Sequence, residues 1–237
     1  FPYTTLFRSI NFQKIGLTPG GDLLTWSALN KDDGACVMRL EPDSAKLINE
    51  FWSDHFCLNW ACWDVFYSYQ GKAYFSPTFY EEVYEITRDS LRVAYRWDMG
   101  EQNINIEQYH FNSGPDTRKE EEERLREYRK TGKIAFNFTK QYQTDKYYYA
   151  QLFSMSSYPQ RKLTNLLYRK KDGVVFYFEK TREGIRISPE VVTEDFMLCI
   201  VPTEELENYK SILSEGEYRA LSKRVEDDNP CVVKFYF

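Results

Sequence analysis

The stretch Asp64-Val65-Phe66-Tyr67-Ser68-Tyr69-Gln70-Gly71-Lys72-Ala73-Tyr74-Phe75 decides how this chain is read. Aromatic and β-branched residues on either side of Gln70-Gly71 predict two short strands joined by a turn. Two more such runs, 82–87 and 91–97, are separated by Arg88-Asp89-Ser90, so residues 64–97 read as a four-stranded antiparallel meander. Working backwards, runs 23–28, 35–40 and 45–51, with turns at 30–34 and 41–44, predict a three-strand meander. Working forwards, a third unit extends from about 134 through 147 to 153, continues at 163–169, turns at Lys170-Lys171-Asp172-Gly173 and ends at 174–179. Asp172-Gly173 is a strong hairpin signal. The last unit holds 196–201 and 231–237.

Composition agrees with an all-β reading. Of 237 residues 17% are aromatic, with 19 Tyr and 17 Phe, side chains that favour pleated, half-buried surfaces. The 31 Lys and Arg against 36 Asp and Glu leave a formal net charge of −5, which disfavours nucleic acid as a partner. No apolar run approaches the roughly 20 residues that a membrane-spanning helix needs. The five cysteines (Cys36, Cys57, Cys62, Cys199, Cys231) form no CxxC pair, so neither a zinc site nor a complete disulfide framework is indicated. Cys36 and Cys199 stand inside apolar runs and read as core residues, whereas Cys57 and Cys62 are close enough in sequence to pair locally.

Two helical insertions interrupt the strands. Residues 119–130 are dense in charge, with Glu120 and Arg124, and Glu122 and Arg126, at the four-residue spacing that supports a solvated helix. A second helical region is expected at 203–213, with Thr203 as a plain N-cap, and a further stretch at 217–225. Units of about 45 to 60 residues, each a meander unable to bury both of its faces, point to radial stacking. The expected fold is therefore a β-propeller of about four blades, and the alternative is a sandwich of two antiparallel sheets.

Particular residues carry a family likeness. Lys72-Ala73-Tyr74-Phe75-Ser76-Pro77-Thr78-Phe79 followed by Glu82-Val83-Tyr84-Glu85-Ile86, the ending Tyr95-Arg96-Trp97-Asp98-Met99-Gly100, and the closing Glu226-Asp227-Asp228-Asn229-Pro230 before the Cys231 tail are the segments concerned. Together they resemble an uncharacterised six-bladed β-propeller family, related in shape to NHL and TolB-like propellers, found in envelope proteins of gut Gram-negative bacteria. The likeness covers nearly all of the chain after Ser9. It departs at Met99, where Phe is common, at Cys231, where an aliphatic residue is usual, and at the charged insertion. The resemblance implies about four blades of a six-bladed ring over 10–237, in the cell envelope, with a lipid anchor on an N-terminal part that precedes this fragment. It brings no established activity with it. Residues 1–9, Phe-Pro-Tyr-Thr-Thr-Leu-Phe-Arg-Ser, look like the translation of a sequencing-library adapter and are set apart from the fold as non-native.

The sequence offers little chemistry. No nucleophile elbow, phosphate-binding glycine loop, HExxH helix or calcium loop occurs, and two histidines cannot build a metal centre of several imidazoles. No catalytic residue, metal or cofactor is expected. His110, before the Gly114-Pro115 turn, is a candidate at a rim, against a surface or core histidine. His55, Trp60 and Trp63 form an aromatic group suited to stacking on a sugar or peptide, against plain core packing. Three function classes are carried: a non-catalytic binding or scaffold protein of the envelope whose ligand is a glycan, a peptide or another envelope protein; a hydrolase or lyase at a propeller's central channel; and a structural subunit that docks through its helical insertions.

Overall fold

Alternation of apolar and polar residues along short runs sets up strands here, and every turn between neighbouring strands in sequence makes them antiparallel. The computed structural model describes residues 14–28, 35–41, 44–51, 65–77, 80–103, 138–154, 162–225 and 229–237, with 119, 123, 126, 127, 130, 131 and 133 between them. The first sheet runs in the order β1 (Lys14–Leu17), β2 (Leu23–Ala28), β3 (Ala35–Leu40), β4 (Ala45–Phe51). The second follows as β5 (Phe66–Tyr69), β6 (Lys72–Phe75), β7 (Glu82–Ile86), β8 (Leu91–Arg96). The third is β9 (Phe138–Gln143), β10 (Tyr147–Ser154), β11 (Lys162–Arg169), β12 (Val174–Phe178), and the fourth is β13 (Val191–Val192), β14 (Phe196–Val201), β15 (Cys231–Tyr236).

The chain divides into two compact units, residues 1–141 with 152–162 and residues 142–151 with 163–237. In the first unit, Trp26 of β2, Val37 of β3 and Phe75 of β6 are buried against one another with Val65, and the Trp26 and Phe75 rings lie 5.0 Å apart. One core is thus shared by two facing sheets, which is how a sandwich buries its inner faces. The sheets come close enough at β1 that a Cβ on Gly16 would stand 2.6 Å from Cγ of Phe66. In the second unit, Met197, Cys199 and Val201 of β14 point inward with Tyr149, Leu167 and Ile187. The opposite face of that fourth sheet leaves Ile200 54% and Val232 67% exposed. On it Lys234 holds its ammonium 3.8 Å from the centre of the Phe196 ring and 4.6 Å from that of Tyr236.

The strands lie close to where the sequence puts them, but the expected propeller is corrected. The described strands make four separate antiparallel sheets with no closed ring, and the arrangement is β-sandwich-like. Hairpins and alternating strands are the same local code in either architecture. What differs is how sheet faces stack, and no turn or period in the sequence specifies that.

Smaller corrections have local causes. The first sheet has four strands rather than three, because Lys-Ile-Gly-Leu at β1 pairs with β2 although its glycine gives it little strand character. Thr203 is not a cap. Pro202 holds that position with no side-chain cap bond, and Thr203–Tyr209 forms a 3-10 helix whose Leu206 and Tyr209 are turned into the core. The following α-helix is Glu215–Leu221, capped by a capping box in which Ser214 and Glu217 bond each other's backbone amides. The expected hairpin at Asp172-Gly173 is present: Arg169 pairs with Val174, Gly173 takes φ of 70°, and Arg169 Nε donates to Asp172 at 2.9 Å. In the charged insertion, residues 119, 123, 126, 127, 130 and 131 are helical.

Candidate functional site

A cleft of about 590 Å³ opens in the first unit where strand ends and turns of its two sheets meet. Thr18 to Asp22 bring the β1–β2 turn, Arg39 to Glu41 the end of β3, Gly71 to Ala73 the β5–β6 turn, and Ile86 to Arg88 the end of β7. Each segment is fixed by its own turn chemistry. Thr18 Oγ1 accepts the Asp22 amide at 2.9 Å and closes the first turn. Gln70 and Gly71 both take positive φ, 48° and 72°, and so join β5 to β6 in two residues. Thr87 Oγ1 donates to the Ser90 carbonyl at 2.8 Å and closes the third. Both threonine hydroxyls are therefore occupied in forming turns.

Arg39 is the unusual member. It occupies the inward register of β3, two residues beyond the core residue Val37, and is only 9% exposed. Its Nη2 donates to the Thr87 carbonyl at 3.2 Å. Its Nε lies 3.5 Å from Asp22 Oδ2 and makes no hydrogen bond. A guanidinium has five N–H donors, and a buried one is expected to use most of them. This one is left under-satisfied beside an open cavity. Lys46 stands directly across the ladder from Arg39 and reaches Asp89. The Lys46 ammonium holds the Asp89 carboxyl below its usual range, with the fields of Arg88 and Arg39 adding to the effect.

The charges on the cleft wall are Arg39, Lys72 and Arg88 against Asp22 and Glu41, and the surplus cation, Lys72, is answered by Glu85 from outside the wall. Lys72 pairs with Glu85 at 3.1 Å, and Glu41 accepts the Ser44 hydroxyl at 3.2 Å. Arg88 makes neither a hydrogen bond nor an ion pair among the described residues. Pro19, Leu40, Ala73 and Ile86 add apolar surface between the charges. Such a wall can hold an anionic group on guanidinium donors while its carboxylates accept from hydroxyls.

Two other polar clusters are structural in character. Tyr149 donates to Asn165 Oδ1 at 2.6 Å, Gln151 Nε2 donates to the same oxygen and to the Ile187 carbonyl, and Ser188 donates to Gln151 Oε1. Burial pushes the Tyr149 phenol well above its usual range, which keeps it a donor. In the first unit, Trp97 Nε1 donates to Gln141 Oε1 at 3.2 Å beside the Tyr67 and Tyr95 hydroxyls, which lie 2.8 Å apart.

The residues singled out from the sequence, His55, Trp60, Trp63 and His110, lie outside the described residues, as do Cys57 and Cys62. Cys36 and Cys199 are buried free thiols and Cys231 is a half-buried one. Among the described residues no group of three or more His, Cys, Asp and Glu side chains is placed to hold a metal ion, and no helix is long and apolar enough to cross a membrane. Sequence reading passed over Arg39. Its signal was a charged residue in phase with Val37 on the apolar face of a strand, visible once that phase is fixed.

No family model matches the chain, and no curated protein does. Among solved structures it is similar to the crystal structure of a candidate exported protein from Bacteroides fragilis, with a TM-score of 0.59 and 12% identity. The match covers 97% of this chain and 66% of that one, so this chain spans about two thirds of the length of the structure it resembles. At that identity the likeness concerns the fold.

Proposed function

We propose that this chain is a non-catalytic ligand-binding protein of the bacterial cell envelope and that its ligand sits in the cleft around Arg39. The observation that carries this reading is a nine-tenths buried arginine on the wall of an open cavity, whose Nε is ion-paired to Asp22 but makes no hydrogen bond. Burying a guanidinium without its full set of partners costs stability, and a bound anion offsets that cost. The cavity lies in the range of small-molecule sites. Its two threonine hydroxyls are held in turns, which favours holding a ligand over attacking one. The envelope location draws support from the likeness to a candidate exported protein.

The test is a thermal-shift screen of glycans, peptides and small anions against the purified chain and its Arg88→Gln variant. Stabilisation by an anionic compound that is weakened in the variant is the expected result. Stabilisation of both proteins to the same extent would move the binding site elsewhere and refute the cleft.

A further inference from the structure

A strand at the edge of a sheet presents backbone amides and carbonyls without a ladder partner, and proteins that stay single protect such edges with a charge, a proline, a bulge or a very short strand. Among the described edge strands, β1, β4, β8, β9 and β15 each carry a lysine or an arginine. β13 is two residues long, and β5 is largely half-buried, with Phe66 against Gly16 of β1. β12 has none of these protections. Val174-Val175-Phe176-Tyr177-Phe178 holds no charge, proline or glycine and pairs with β11 in unbroken register. Four of its five side chains are exposed, Val174 and Phe176 on one face and Val175 and Tyr177 on the other.

The order of residues in β12 fits a second copy of itself. Antiparallel pairing about Phe176 sets Val174 opposite Phe178, Val175 opposite Tyr177 and Phe176 opposite its own copy. Each β-branched residue then meets an aromatic one, a cross-strand combination that stabilises sheets. Beyond the strand, Glu179 comes opposite Gly173 and Lys180 opposite Asp172, which also holds Arg169 of its own chain. Opposite charges therefore meet and like charges do not. Parallel pairing in register would instead set Asp172, Glu179 and Lys180 each against its own copy. We propose that two copies of this chain pair antiparallel through β12, about Phe176, and so join their third sheets into one sheet across a two-fold axis. This surface stands independently of the cleft around Arg39.

Sedimentation velocity of the whole chain, from low to high micromolar concentration, tests the pairing. A strand-to-strand contact of this length falls below the roughly 1,200–2,000 Å² of standard interfaces, so a reversible association is expected. The mass should rise from 28.3 kDa towards twice that value with concentration, and hydrogen exchange of the β12 amides should slow in parallel. Val175→Lys sets a charge against Tyr177 of the other copy and should weaken the association about ten-fold or more. Val175→Lys combined with Tyr177→Glu sets Lys against Glu across the axis and should recover most of that loss. Both positions are exposed, so the variants are expected to fold, and unchanged circular dichroism verifies that. A mass of 28.3 kDa at every concentration overturns the proposal, whether β12 is then protected by its own chain or open to a different partner. A dimer that Val175→Lys leaves intact overturns it too, because another face then holds the copies together. Association lost in Val175→Lys and not recovered by the double variant overturns the antiparallel register about Phe176.

Discussion

Gly16 and Phe66 show how much one missing Cβ matters where two sheets meet. The atoms that a Cβ would strike are Cγ, Cδ2 and Cβ of the ring side chain, at 2.6 to 2.9 Å, so the ring cannot swing clear by moving only its tip. Gly16→Ala should lower stability by about 1–3 kcal/mol, the range for overpacking, read from the shift of a urea midpoint. Phe66→Leu made alongside should recover part of it, because the two changes share one contact. Glu85 gives a second test at this scale. The Arg92 guanidinium, and after it Lys72, hold its carboxyl below the ordinary 4.5. A depressed carboxyl contributes stability above its unfolded pKa and loses it as the pH falls through the folded one. Wild type should therefore exceed Glu85→Gln in stability near neutrality, and the difference should shrink as the pH drops below about 4.5, measured as melting temperature against pH.

At the scale of elements, strands were legible and their ends nearly so. Alternation and turn residues identify the strands from β2 to β8 within about two residues, because each apolar position answers to a face that is buried. Helix signals were weaker. Ser214-Glu215-Gly216-Glu217 carries the S-x-x-E capping box, yet the glycine inside it obscures the start of the helix in the sequence. Ser214→Ala should cost about 1 kcal/mol, and the loss should appear in a chemical denaturation curve with no change in the β-sheet circular dichroism. Thr203 misled for the opposite reason. It is a good capping residue, but Pro202 fixes the backbone before it and the segment tightens into a 3-10 helix to set Leu206 and Tyr209 inward.

For the whole molecule, sequence reading gave the order of most strands, missing β1 and β13, but not the stacking of the sheets. Local pairing is dictated by turns of a few residues, whereas the choice between a ring and a sandwich depends on which broad faces meet, and both faces of several strands are apolar enough to be covered. The candidate site was illegible for the same reason, since Thr18, Arg39, Gly71 and Arg88 converge only when the two sheets of the first unit are brought together. Position within a sheet also ranks backbone protection. Hydrogen exchange should be slowest in the inner strands β2, β3, β6, β7, β10, β11 and β14 and faster along the edge strand β12, whose Val175 and Tyr177 are 55% and 58% exposed. Equal protection of β12 and β11 would show that this edge is covered in solution.

The cleft is bounded mainly by turns and strand ends, while Trp26, Val37 and Phe75 bury their side chains in the interior between the same two sheets. Recognition and folding are thus assigned to different residues on the same strands. The turn at 18–22 and that at 87–90 close on hydrogen bonds of their own, so a turn of equal length from another protein can be transplanted in their place with little loss of the core. The framework is in that sense a holder with exchangeable jaws, and its selectivity is open to redesign by grafting at one end of the strands.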